Sequence, residues 1–170
     1  MKKKLCFLLL IAYCLLLIVP VVRADYVLPY PSYMPGNKLY RVSRLLDNLK
    51  ASWYWGNIAS FRYHLGLSDK YLVEAKTLFE YKQYALGVRA LEKSNSEVVQ
   101  ISPLLSRLIE EKKSNPEIVK NVDEQMKSHL EVLTRMFSEL PDNIEWTEEK
   151  QNTREIHFSD LFRVAIELRN

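Results

Sequence analysis

Cysteine is almost missing from this 170-residue chain: two occur, Cys6 and Cys14, and both lie within the first 24 residues. Beyond residue 24 there is no thiol to form a disulfide, attack a substrate or hold a metal as thiolate. Histidine is nearly as scarce, with His64, His129 and His157 far apart. His157 and Asp160 have an i, i+3 spacing, but two ligands are too few for a structural metal site, and a helix-start interaction is the expected reading. His64 is expected to be a half-buried helix residue and His129 a packed or surface one. With four glycines in all, the chain has no phosphate-cradling loop and no Gly-x-Ser-x-Gly elbow, and no His-Glu-x-x-His helix occurs either. The paired carboxylates Glu110-Glu111, Asp123-Glu124 and Glu148-Glu149 sit among lysine and polar residues, as a solvated face does. No catalytic, cofactor-binding or metal-ligating residue is therefore assigned.

An excess of positive charge is missing too, once the first 24 residues are set aside. Lys2, Lys3 and Lys4 precede an apolar run from Leu5 to Val22, followed by Arg23, Ala24 and Asp25. A basic start, a Leu-rich core, Pro20 and a Val22-x-Ala24 site together describe a secretory signal peptide. Cleavage after Ala24 is expected. The alternative is a retained anchor, because an apolar run of ~18 residues is about the least that spans a bilayer. Without Lys2, Lys3, Lys4 and Arg23 the 24 basic residues fall to 20 against 21 acidic ones, a formal charge of −1. No positive field argues for nucleic acid, and membrane contact is expected only through an uncleaved leader. The protein is expected to be extracytoplasmic, either secreted or held in the cell envelope.

What remains is organised as residues 25–36 and 37–170. The first stretch carries Pro29, Pro31 and Pro35 among Tyr26, Leu28, Tyr30, Tyr33 and Met34. Prolines there impose an extended backbone. Leu28, Tyr30, Tyr33 and Met34 are too apolar for a solvated linker, and the spacing of prolines predicts a strap lying in a groove between helices.

The rest reads as helix. Asn37 is a candidate cap for a first helix whose Leu39, Val42, Leu46, Leu49 and Trp53 recur at alternating three and four residues. A second helix carries Ile58, Phe61, Leu65, Leu72, Ala75 and Phe79 and ends near Tyr81-Lys82-Gln83. A third carries Tyr84, Val88, Leu91, Val98, Leu105 and Ile109, with Pro103 expected to kink it or to start a new helix. Asn115-Pro116-Glu117 signals another start, with the acid at the positive end of the helix dipole. The helix that follows has the stripe Ile118, Val122, Met126, Leu130, Leu133, Phe137 and Leu140. After Pro141-Asp142-Asn143, a polar segment opened by Thr147 leads to a last amphipathic helix with Phe158, Leu161, Phe162, Ala165 and Leu168. No alternation of period two competes with these matches, and the expected fold is an all-α antiparallel bundle of four to six helices.

Residues 28–94 carry a resemblance. Leu28-Pro29-Tyr30-Pro31, then Met34-Pro35-Gly36-Asn37-Lys38-Leu39-Tyr40, then Leu67-Ser68-Asp69-Lys70-Tyr71-Leu72-Val73-Glu74-Ala75 with a return arm Tyr84–Leu91, resembles a bacterial family of uncharacterised extracytoplasmic helical domains. The resemblance implies a secreted or membrane-tethered helical protein and no catalytic activity. The bulky Trp53-Tyr54-Trp55 departs from that family's usual connection. The same hairpin looks like a single tetratricopeptide unit, but no second copy follows at the spacing a solenoid needs.

Aromatics are the feature a plain bundle does not require. All ten tyrosines and two of the three tryptophans lie in the first half, serving either to pack at helix crossings or to form a contact surface. Tyr30, Tyr33, Trp53 and Trp55 are the candidate partner contacts. Two function classes follow: a non-enzymatic envelope protein that binds a protein or cell-wall polymer, or a periplasmic-type chaperone, stress- or metal-responsive protein or hydrolase whose site is assembled from scattered residues.

Overall fold

The structure is a computed structural model, and it describes residues 26–31, 33–35, 37–141, 143–146 and 154–170. The proposed signal peptide and the polar segment opened by Thr147 lie outside the described residues.

The fold is all-α, as the apolar spacing predicts. Five helices are described: α1 (Lys38–Trp53), α2 (Asn57–Glu80), α3 (Tyr84–Glu110), α4 (Pro116–Glu139) and α5 (Phe158–Glu167). The start signals act as read: the Asn37 side chain accepts from the Leu39 amide, and the Asn115 side chain accepts from the Ile118 amide with Pro116 in the first turn. Two turns close in the same way. Lys82 and Lys112 adopt positive φ (58° and 54°), and the amide after each bonds back across the helix end, Gln83 to the Leu78 carbonyl and Lys113 to the Leu108 carbonyl, both within 2.9 Å. These left-handed residues end α2 and α3 without glycine.

Pro103 neither starts a new helix nor ends one: α3 runs through it from Tyr84 to Glu110. Pro103 and Val99, whose carbonyl loses its helical partner, are both exposed, so water can satisfy that oxygen. A second difference is a two-stranded antiparallel ribbon, β1 (Asn143–Trp146) and β2 (Arg154–His157), pairing Ile144 with Ile156 and Trp146 with Arg154. Four residues a side are too few to outweigh helical periodicity in a sequence count.

α2, α3 and α4 run up, down and up, and their apolar faces meet in two separate clusters. One gathers Leu72, Leu78, Phe79, Leu91, Leu133, Phe158 and Phe162, joined by Leu28 and Met34 of the strap. The other gathers Phe61, Val98, Ile101, Leu108 and Val122. The buried line of α4 is Val122, Gln125, His129, Leu133 and Met136. It is rotated from the expected stripe, leaving Met126 and Leu130 half-buried and Phe137 exposed. At the far end of α3 the buried residue is Leu108 rather than Ile109.

The strap prediction holds for half its residues: Leu28 and Met34 pack on the core, whereas Tyr30 and Tyr33 are exposed. A proline-rich extended backbone of the polyproline type repeats every three residues, which puts the exposed Val27, Tyr30 and Tyr33 on one side and the docked Leu28 and Met34 on another.

Candidate functional site

Two places on this scaffold carry chemistry beyond packing. The first lies between the two apolar clusters, where every packed element contributes a polar side chain: Ser68 and Asp69 from α2, Ser94 and Asn95 from α3, Gln125 and His129 from α4, and Arg169 just beyond α5. All are buried. Asp69 is the hub. Its Oδ1 accepts from His129 Nε2 at 2.7 Å and from the Gln125 amide, and its Oδ2 accepts from the Tyr26 hydroxyl of the strap. On the other side of the imidazole, Arg169 Nε donates to His129 Nδ1 at 3.2 Å. The remaining guanidinium nitrogens donate to Asn95 Oδ1, the Ala165 carbonyl and Ser94 Oγ, each at 2.7 Å. Ser94 in turn donates to the Ser68 carbonyl.

Hydrogen accounting fixes the tautomer. Nδ1 accepts from a guanidinium that has only donors, so the proton sits on Nε2 and points at the Asp69 carboxylate. Burial holds the His129 pKa below its ordinary value, aided by the Arg169 charge, while the bond to Asp69 pulls the other way. Burial also pulls Arg169 down to about 10, which Asp69 opposes, so it remains a cation at neutral pH. The Tyr26 hydroxyl is pushed up by burial first and then by its bond to Asp69. The layer is thus an anion, a neutral imidazole and a cation in series. Because His129 is fully buried and both ring nitrogens are committed, the arrangement is suited to fixing register and sensing protons.

Sequence reasoning passed over Asp69, Gln125 and Arg169 as site residues. A signal was present: Gln125 and His129, four residues apart, stand on the line that also carries Val122 and Leu133, and Ser68-Asp69 and Ser94-Asn95 interrupt the stripes of α2 and α3 at matching depth.

The second place is the outer surface of α1. Its bundle-facing side is polar. Tyr40 and Arg44 bond to Glu74, Lys70 bonds to Asp47 and Ser43, and the Tyr63 hydroxyl donates to the Asp47 carbonyl. The Arg44 guanidinium also stacks on the Tyr71 ring, 4.5 Å from its centroid. The apolar stripe of α1 faces away from the bundle: Leu39, Val42, Leu46 and Leu49 are 48–55% exposed. Trp53 at its end is 85% exposed and Trp55 84%.

The four candidate contact residues do not form one patch. Tyr30 is 97% exposed and lines a groove of about 640 Å³ with Val73 and Thr77 of α2, Tyr81 just beyond it, and Val132 and Arg135 of α4. Tyr33, at 48% exposed, follows it in the strap. Trp53 and Trp55 lead into Asn57 at the opposite end of α2. Twenty helical residues separate Asn57 from Thr77, roughly 30 Å. His157 is exposed at the start of α5, and Asp160 pairs with Arg163. His64 is half-buried and lies 2.6 Å from Glu97. Among the described residues no group of three or more His, Cys, Asp or Glu could hold a metal ion.

Compared with protein-family models, with curated proteins and with solved structures, the chain matches none.

Proposed function

We propose that the protein is a non-enzymatic extracytoplasmic binding or scaffold module that engages a protein or a cell-wall polymer through exposed aromatic side chains. Its leader, cleaved after Ala24, delivers it there, and the likeness of residues 28–94 to secreted helical domains belongs to the same reading. The observation that carries it is the strap. Leu28 and Met34 anchor it to the core while Tyr30 stands almost wholly exposed beside a groove that also offers Lys76, Glu80, Glu131 and Arg135. A ring held out by a fixed backbone loses little freedom when it stacks on a sugar or fills a partner's pocket. Against a hydrolase stands the commitment of His129, Asp69 and Ser94 to one another and to Arg169, out of reach of substrate.

A photocrosslinking side chain at position 30, irradiated in the cell envelope, tests this. An adduct on a protein or wall polymer, suppressed by excess unlabelled chain, is expected. Recovery of the uncrosslinked protein alone would reject the reading.

A further inference from the structure

The outward stripe of α1 is an apolar helix face that none of the described residues covers, and its borders are basic. At 100° per residue the apolar arc from Leu45 to Leu39 is centred about 170° from the arc of Tyr40, Arg44 and Asp47 that meets α2. Arg41 and Lys50 flank the arc on its two sides, and Lys38, in the first turn, lies just inside its Leu45 edge. Every exposed charge among the described side chains of α1 is positive, because Asp47 is buried against Lys70 and Arg44 is turned inward to Glu74.

We propose that this face of α1 docks on the surface of an anionic phospholipid bilayer, lying in the interface with Leu39, Val42, Leu46 and Leu49 in the acyl boundary and Trp53 at headgroup depth. The proposal concerns a different face from the strap groove and does not depend on it.

Three observations choose lipid over a second copy of the chain. The alternating three-and-four spacing spans little more than two heptads, where a self-standing coiled coil needs three to four. A second copy brings only more positive charge to the borders of the stripe, whereas anionic headgroups neutralise Lys38, Arg41 and Lys50. No helix of the described residues is long and apolar enough to cross a membrane. α1 has instead the make-up of a helix that lies on one, with basic flanks, Leu in the middle and Trp at the end.

The tryptophans supply the test, since residues 1–25 contain none. The full chain is mixed with phosphatidylglycerol vesicles carrying brominated acyl chains, and tryptophan emission is read. Quenching is expected. It should disappear in Trp53→Phe/Trp55→Phe and in Leu46→Glu/Leu49→Glu, the latter with an unchanged far-UV circular dichroism spectrum. Lys38→Gln/Lys50→Gln alters only exposed side chains and should require on the order of tenfold more lipid for the same quenching. Three outcomes overturn the proposal. One is no quenching by anionic vesicles. Another is quenching that survives both the glutamate and the glutamine pairs, which would leave lipid contact to the leader alone. The third is concentration-dependent self-association that Leu46→Glu/Leu49→Glu abolishes without any quenching, which would assign the face to a second copy.

Discussion

Gly66 and Gly87 show how the same residue type does opposite work. Both lie inside helices, where glycine costs about 1 kcal/mol relative to alanine. A Cβ on Gly66 would meet nothing within 4 Å, so Gly66→Ala should raise stability by about 0.5–1 kcal/mol, seen as a higher urea midpoint. A Cβ on Gly87 would sit 2.9 Å from the Phe79 ring. That ring cannot retreat, because it packs edge-on against Phe158 and tilted against Phe162. Gly87→Ala should therefore lower the midpoint, with overpacking of about 1–3 kcal/mol outweighing the gain in helix propensity. Tyr26 is the other residue whose role reaches past its neighbours. Tyr26→Phe keeps the ring and removes the donor to Asp69 Oδ2. Leaving that carboxylate oxygen short of a partner should cost about 1–3 kcal/mol in urea unfolding, and an unchanged midpoint would mean that the strap does not close the polar layer.

At the scale of elements, α1 and α4 have equally clear sequence patterns and opposite placements. Each has apolar residues at three-and-four spacing and an asparagine cap that bonds as expected. In α4 the pattern is buried, and Leu133 is fully enclosed. In α1 it faces out, and the helix is held to α2 by Glu74, Lys70 and Asp47 instead. The prediction is a contrast: Leu133→Ala should lose about 2–5 kcal/mol, and Leu46→Ala less than about 0.5 kcal/mol. Comparable losses in a denaturant titration would place the α1 stripe in a core and remove the basis for its docking on lipid. The strap divides in the same way between docked Leu28 and Met34 and exposed Tyr30 and Tyr33. Periodicity identifies the faces of such elements and leaves open which face meets the rest of the chain.

For the whole molecule, the polar layer joins two apolar clusters through four elements and the strap, and it makes stability depend on pH. His129 is neutral in the folded state, with its pKa held below the ordinary 6.5 by burial and by Arg169. The groups facing it are Asp69 from α2 and Arg169 beyond α5, with Gln125 and Tyr26 bonded to the same carboxylate. Below about pH 6.5 the unfolded chain takes up a proton that the folded chain refuses, so it binds more protons and stability falls as pH drops, by up to about 1.4 kcal/mol per pH unit for one group. The contribution is complete above that pH and declines toward the lower folded-state value. Urea midpoints measured from pH 7.5 to 5.5 should fall. His129→Gln should lower the midpoint at pH 7.5 and flatten its dependence below 6.5. An equally steep dependence in that variant would assign the effect to other groups.

The sequence by itself determined the helices, their caps and their breaks, because Asn37, Asn115, Pro116 and the three-and-four spacing act within a turn or two of themselves. It also determined that two apolar stretches would meet across the α2–α3 hairpin, since a three-residue turn sets those helices antiparallel and side by side. Only the tertiary structure decided the rest. Asp69, Gln125, His129 and Arg169 are separated by up to a hundred residues along the chain, and a buried charge is tolerable only when its partners arrive from other elements, which no local pattern encodes. The same holds for α1: its amphipathic pattern specifies that one side is apolar, and the pairing of Arg44 and Asp47 with Glu74 and Lys70 turned that side outward.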